Sequence, residues 1–253
     1  MIIESSFSYN QIIEVKTMCG ICGELRFDNT GPDLARIERM KAKLVQRGPD
    51  SEGSYANGAV ALGHRRLAII DLSNKAAQPM VDDSAGLALV FNGTIYNYPE
   101  LREELKAKGH SFKSSGDTEV ILRAYAEWGE ACLQRLHGMF AFAVWDANKK
   151  ELLVARDRVG IKPLYFSQTD QRLLFASNTQ ALIHADDSID KNIDAAALHN
   201  LFSLHAVVPA PRTVLKGIRK VKPAHYMVFK QDGSVEEKRY WTLTAKRPDK
   251  QMS

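Results

Sequence analysis

At 253 residues the chain is long enough for one large domain or two small ones with a substantial core. Hydrophobic residues make up 45% and charged residues 25%, and the formal charge is only +4, spread along the chain, which argues against a nucleic-acid footprint. Residues 1–17 lack the basic start and long apolar run of a secretory leader, and no apolar stretch approaches bilayer-spanning length, so neither export nor a membrane partner is expected.

In chain order, residues 21–27 are apolar and partly alternating and read as a buried strand. Residues 32–46 carry Leu34, Ile37, Met40 and Leu44 near helical spacing, with Pro32 suited to the first turn and Gly48-Pro49 as the stop. Residues 54–55 and 59–62 form a hairpin through Asn57-Gly58. Residues 67–70 and 87–91 read as further strands, 99–108 and 119–128 as helices. From Met139 the pattern becomes a strand ladder, at 140–145, 151–155, 164–166 and 173–176, separated by turn-rich pieces. A helix over 194–204 follows, then a locally basic stretch at 216–222 that reads as a solvated strand or loop. Residues 226–229 pair with 235–240 across Asp232-Gly233. Antiparallel sheets with helices outside them fit this order better than alternating strand–helix units.

Three cysteines, an odd number, point to a reducing cytoplasm. Cys19 and Cys22 have the spacing of half a zinc site, but no second Cys or His pair follows, so no metal site is expected. Cys19 directly follows Met18. If Met18 were the first residue and were trimmed, Cys19 would carry a thiol and, in its α-amine, a base that titrates at about 7.7–8.0. The bland alternative is a buried hydrophobic cysteine.

Asn92-Gly93 is open to two readings: a hairpin turn, or an amide side chain beside a glycine N–H, two donors for an oxyanion. Arg66 could clamp a carboxylate by a two-pronged bond or serve in a surface ion pair. Asp117 could receive an ammonium or cap the helix that follows it.

Seven segments occur in order: Met18-Cys19-Gly20-Ile21, Arg47-Gly48-Pro49-Asp50, Gly63-His64-Arg65-Arg66-Leu67-Ala68-Ile69-Ile70-Asp71, Phe91-Asn92-Gly93-Thr94-Ile95-Tyr96-Asn97, Gly116-Asp117-Thr118-Glu119, His137-Gly138-Met139-Phe140-Ala141-Phe142 and Arg156-Asp157-Arg158-Val159-Gly160-Ile161-Lys162-Pro163-Leu164-Tyr165. Together they resemble the glutaminase (class II glutamine amidotransferase) domain of glutamine-hydrolysing asparagine synthetases, from Met18 to about Trp241.

The resemblance implies an α+β, N-terminal-nucleophile hydrolase fold, a four-layer αββα sandwich of antiparallel sheets. It implies hydrolysis of L-glutamine to glutamate and ammonia through a cysteine thioester. Cys19 matches the nucleophile, and Asn92 with the Gly93 N–H matches the oxyanion hole. Arg66 matches the carboxylate clamp, with Leu67, Ala68, Ile69 and Ile70 lining that side. Asp117 matches the partner of the substrate ammonium. Arg47 and Asp50 match a supporting motif that shapes the loop. No cofactor is implied for these residues. ATP and Mg are expected only for a synthetase domain or subunit, the expected partner, whose Ser-Gly-Gly-x-Asp-Ser phosphate loop has no counterpart here. A homodimer is possible.

The sequence departs from the family at three places. Thr94 stands where a glutamate helps to hold the substrate ammonium. Residues 1–17 precede the nucleophile and are expected to be a propeptide or to reflect a misplaced start. Residues 242–253 are expected to begin a linker to the absent synthetase domain. The segment from His205 to Thr213, with Thr94, also looks like relatives that amidate N-acetylglutaminylglutamine. The alternative to a glutaminase is a non-catalytic fragment or partner-binding remnant.

Overall fold

The computed structural model describes residues 18–245, so the expectations for 1–17, and those for 246–253 of the linker, lie outside the described residues. Among the described residues twelve strands form two sheets, in which every neighbouring pair runs antiparallel. The first sheet has the order β10-β8-β9-β1-β3-β2, built from β1 (Gly20–Arg26), β2 (Ser51–Asn57), β3 (Val60–Arg66), β8 (Tyr165–Gln168), β9 (Arg172–Ala176) and β10 (Arg219–Lys220). The second has the order β12-β11-β7-β6-β5-β4, from β4 (Met80–Asp82), β5 (Leu87–Ile95), β6 (Gly138–Asp146), β7 (Glu151–Arg156), β11 (His225–Lys230) and β12 (Val235–Arg239).

Successive side chains of a strand point to opposite faces, and here both faces are apolar. Along β6, Phe140, Phe142 and Val144 point outward to α2 (Tyr98–Ala107), α3 (Asp117–Trp128) and α4 (Cys132–Arg135), while Ala141, Ala143 and Trp145 point inward. Along β9, Leu173 and Phe175 point inward, and Leu174 and Ala176 pack under α1 (Leu34–Ala42) and α5 (Thr179–Ala185). The inward sets of the two sheets share one core, which includes Ile21, Leu25, Val90 and Phe229. Three apolar layers therefore separate four structural ones, and the result is the αββα sandwich. The last helix, α6 (Ala195–Ser203), starts at the Asp194 cap, whose carboxylate accepts from the Ala196 and Ala197 amides.

Some elements differ from expectation. The helix expected over 32–46 begins after the Asp33 cap and is α-helical only to Ala42; Leu44 and Arg47 continue it on i→i−3 bonds, to Lys41 and Leu44. Residues 67–70 are not a strand but a loop leaving β3. Asp117 is not a cap: Gly116 caps α3 and Asp117 is its first residue. Asn92-Gly93 is no turn, for it lies inside β5, where Gly93 is opposite Phe140. Helix α5 and the short strand β4 have no counterpart in the sequence reading, while β10 falls in the stretch 216–222 read there as a strand or loop. Among the described residues no helix is long and apolar enough to cross a membrane.

Candidate active site

Where β1, β3 and β5 end near one another, a cleft of about 250 Å³ opens, lined by Cys19, Arg66, Leu67, Ala68, Ile69, Ile70, Asn92, Gly93, Thr94 and Asp117 among others. The cavity thus gathers ten of the twelve residues singled out from sequence. The other two, Arg47 and Asp50, touch the chain that forms its wall.

Cys19 lies at the threshold of β1, half-buried. Its sulfur accepts the Leu67 N–H at 3.3 Å and lies 3.5 Å from the Leu67 carbonyl oxygen. Burial raises the thiol above its ordinary value. The Leu67 N–H and the charges of Arg66 and Lys162 pull it back, and the Asp117 carboxylate adds to the rise. Cys22, three residues on, points into the core beneath α1, where burial pushes its thiol up to about 12.

Arg47 and Asp50 fasten the two chain segments that meet at the sulfur. Arg47 donates from Nε to the Cys19 carbonyl at 3.2 Å, and its own carbonyl accepts the Met18 N–H at 3.3 Å. Asp50 accepts the Ala68 N–H at 2.9 Å, and its N–H donates to Arg66 at 3.0 Å. Between them Gly48 lies so close to β3 that a Cβ there would stand 2.3 Å from the Arg65 carbonyl.

Arg66, the last residue of β3, is buried, and its guanidinium donates to the carbonyls of Asp71 and Ser73. Those two bonds leave donors over, since a guanidinium carries five. The Asp71 side chain accepts from Ser73 and Ser115, which ties the loop after β3 to the approach to α3. Across the cleft, Asp117 accepts the Ile95 N–H at 3.0 Å. Burial raises its carboxyl, while the N–H donors of Ile95 and of the helix start lower it.

The backbone of β5 provides the most informative geometry. Phe140, opposite Gly93, commits both its N–H and its carbonyl to Asp157 on the far side. In an antiparallel ladder this makes Gly93 and Phe140 a pair without mutual hydrogen bonds, so the Gly93 N–H points away from β6. The N–H groups of Phe91 and Ile95 point the same way, and side chains satisfy both: Gln78 at 2.6 Å and Asp117 at 3.0 Å. The edge strand β4 pairs only as far as Leu89. Between the two covered groups, the Gly93 N–H faces the cavity. The neighbouring Asn92 side chain is buried, and its Nδ2 has no partner. A buried amide without a partner is uncommon and expensive; here it lies beside a second open donor.

Sequence reasoning missed Gln78, Met139 and Lys162 as cavity walls, although Met139 and Lys162 fall inside quoted segments. It also missed His64, which is buried, with Nε2 3.2 Å from the Phe91 carbonyl oxygen, joining β3 to β5 one residue from Asn92. Burial drives His64 down to about 3, so the ring is neutral at physiological pH.

The family described as "Glutamine amidotransferase domain" matches residues 18–241. The chain belongs to that family. It is 36% identical over 233 residues to the "Asparagine synthetase [glutamine-hydrolyzing] 3" of Bacillus subtilis (strain 168), a match covering 91% of this chain and 38% of the relative. It is 39% identical over 232 residues to "Asparagine synthetase [glutamine-hydrolyzing] 1" of the same organism, covering 90% and 36%. The chain thus spans well under half the length of these relatives. Among solved structures, the glutamine phosphoribosylpyrophosphate amidotransferase of B. subtilis superposes with a TM-score of 0.65 over 89% of this chain and 50% of that one, at 19% identity. At that identity the likeness concerns the fold, and it agrees with the αββα sandwich. The domain described here is a glutamine amidotransferase domain.

Proposed function

We propose that the domain hydrolyses L-glutamine through a Cys19 thioester, with the ammonia passed to an ATP-dependent synthetase domain or subunit outside the described residues. The observation that carries this reading is the pair of uncommitted donors, the buried Asn92 Nδ2 and the Gly93 N–H, on two neighbouring residues that line the cleft holding Cys19. Donors left open in a buried site suit an oxyanion that exists only during reaction.

In this reading Arg66 takes the glutamine carboxylate and Asp117 the ammonium, which presents the side-chain amide to Cys19. The α-amine of Cys19, freed when Met18 is removed, accepts the thiol proton. An amide nitrogen cannot, because its lone pair is delocalised. The thiolate attacks the amide carbon, the oxyanion forms against Asn92 and Gly93, and the amine returns the proton to departing ammonia. Water then hydrolyses the thioester. Asparagine synthesis is the parent activity suggested by the relatives' names. The acceptor is proposed as aspartate, with N-acetylglutaminylglutamine the second reading on the segment from His205 to Thr213.

The test is glutamate release by a chain that starts at Met18, with mass spectrometry to verify Cys19 as its first residue. Steady turnover that vanishes in Cys19→Ala is expected. Turnover that survives in Cys19→Ala, or in a mature protein still carrying residues 1–17, would overturn the terminal-amine mechanism.

A further inference from the structure

The loop that joins β7 to β8 is fastened far more heavily than a connection requires. The Asp157 carboxylate accepts the N–H groups of Val159, Ile161 and Lys162 at 3.2, 2.9 and 2.8 Å, and that of Phe140 at 3.3 Å. The Arg156 guanidinium donates to the carbonyls of Gly160, Lys162 and Val221 at 2.7, 2.8 and 2.8 Å. Lys162 is held from both sides of its backbone, by Asp157 at its N–H and by Arg156 at its carbonyl. Its side chain lines the cleft beside Met18 and Cys19.

Lys162 is buried, and among the described residues its ammonium donates to the Met18 sulfur. Among the described residues no carboxylate lies within ion-pair distance of it; the acid closest in sequence, Asp157, has its oxygens engaged by backbone N–H groups. A buried cation without a counter-ion is costly, and this one faces a sulfur that must become an anion.

We infer that Lys162 is the charge that favours the Cys19 thiolate, delivered to the cleft by the loop that Arg156 and Asp157 tie down. This rests on the reading of Cys19 as the nucleophile and deepens it. The other charges facing the sulfur are Arg47, Arg66 and Asp117. Arg66 on its own acts on the thiol more strongly than Lys162 does. Glutamine changes that order: its carboxylate neutralises Arg66 and its ammonium neutralises Asp117. Arg47 is committed through Nε to the Cys19 carbonyl. Beside the α-ammonium that Cys19 itself carries once its amine has taken the thiol proton, Lys162 then remains the side-chain cation of the cleft that glutamine does not neutralise. Its own ammonium is destabilised first by burial and then by Arg47, and is supported by Cys19 and Asp157, so cation and thiolate stabilise each other.

The test is the pH profile of iodoacetamide alkylation at Cys19 in the full chain, read by peptide mass spectrometry against Lys162→Met, whose side chain has similar length and no charge. The comparison is made in an Arg66→Met background, because without glutamine Arg66 acts on the thiol more strongly than Lys162 does and would mask it; removal of Met18 is not needed. Opposite charges at short range move a titration by about one to three units. An upward shift of about one unit is expected in Lys162→Met, with Lys162→Arg staying near that background. The midpoint is the proper readout, because a thiolate of higher pKa is also intrinsically more reactive. If Lys162→Met does not fold, Lys162→Gln replaces it. An unchanged midpoint in the folded neutral variant rejects the role of Lys162. Absence of glutamate release from the wild type with a freed Cys19 would instead reject the glutaminase reading.

Discussion

The dipeptide Asn-Gly occurs at 57–58 and at 92–93, and the two copies do opposite things. At 57–58 it ends β2 and opens the reversal into β3: Gly58 has φ +57° and a Cβ there would meet nothing within 4 Å. That is what Asn-Gly favours in a hairpin. At 92–93 the dipeptide runs straight through a nine-residue strand whose pairing with β6 extends from Leu87 to Ile95. Asn and Gly are poor strand residues, but strand propensities span only about 1 kcal/mol, and a continuous buried ladder outweighs them. The strand still needs a glycine, for a different reason. A Cβ at position 93 would lie 2.2 Å from the Met139 carbonyl oxygen. Gly58 is selected by torsion and Gly93 by crowding.

The largest expected effect breaks the comparison at the asparagines. Asn92→Ala should lower kcat by 10²–10³, about 2.7–4 kcal/mol of transition-state stabilisation, as for other oxyanion donors. Asn57→Ala should leave turnover where it is. Equal rates in the two variants, measured by glutamate release, would remove Asn92 from the chemistry. Next comes Gly93→Ala. The obstructing atoms are backbone and cannot swing aside, so overpacking should cost roughly 1–3 kcal/mol or more, read by denaturant unfolding. A stability equal to wild type would mean that β5 and β6 are further apart than described.

The same contrast explains how much could be read from the chain. Short apolar runs bounded by turn residues exposed most strands, because the central strands are buried on both faces. It could not reveal that residues 67–70 form a loop. Leu67-Ala68-Ile69-Ile70 is apolar enough for a strand, yet the first two N–H groups are taken by the Cys19 sulfur and the Asp50 carboxylate. Those partners are 48 and 18 residues away, and no local pattern encodes them. The helix over 32–46 shows the same limit: Leu44 is buried as its spacing suggests, but periodicity reports a face, not whether the last turn is α-helical. Helix α5 did carry a legible signal, the Asn178 cap bonded to the Ala181 N–H. For the site, the residue identities came from the ordered segments. The open Gly93 donor required the register of β5 against β6, and the role inferred for Lys162 required its burial without a carboxylate.

A third experiment sharpens the cleft side of the comparison. Thr94 follows Gly93 and lines the cavity with Asp117. Thr94→Glu should tighten glutamine binding by about 1.5–3 kcal/mol if the new carboxylate reaches the substrate ammonium, the range for hydrogen bonds to charged groups. Calorimetry in a Cys19→Ala background separates binding from turnover. Weakened binding would show that the new carboxylate repels Asp117 instead of sharing the ammonium with it.

The smallest effect belongs to the first dipeptide. In Gly58→Ala the new methyl group has free space around it, so any penalty comes from the backbone alone. An L-residue held at positive φ costs roughly 1–2 kcal/mol relative to glycine, and in a chain of this size about 1 kcal/mol lowers Tm by roughly 2–4 °C. Turnover should not change, since position 58 lies outside the cleft wall. The informative quantity is the ratio of the two glycine penalties, because the same added methyl group tests torsion at 58 and collision at 93. Gly93 has no positive φ to penalise, so a loss at Gly93→Ala smaller than that at Gly58→Ala would mean that the Met139 backbone yields to the added methyl group, and the crowding argument for β5 would fall.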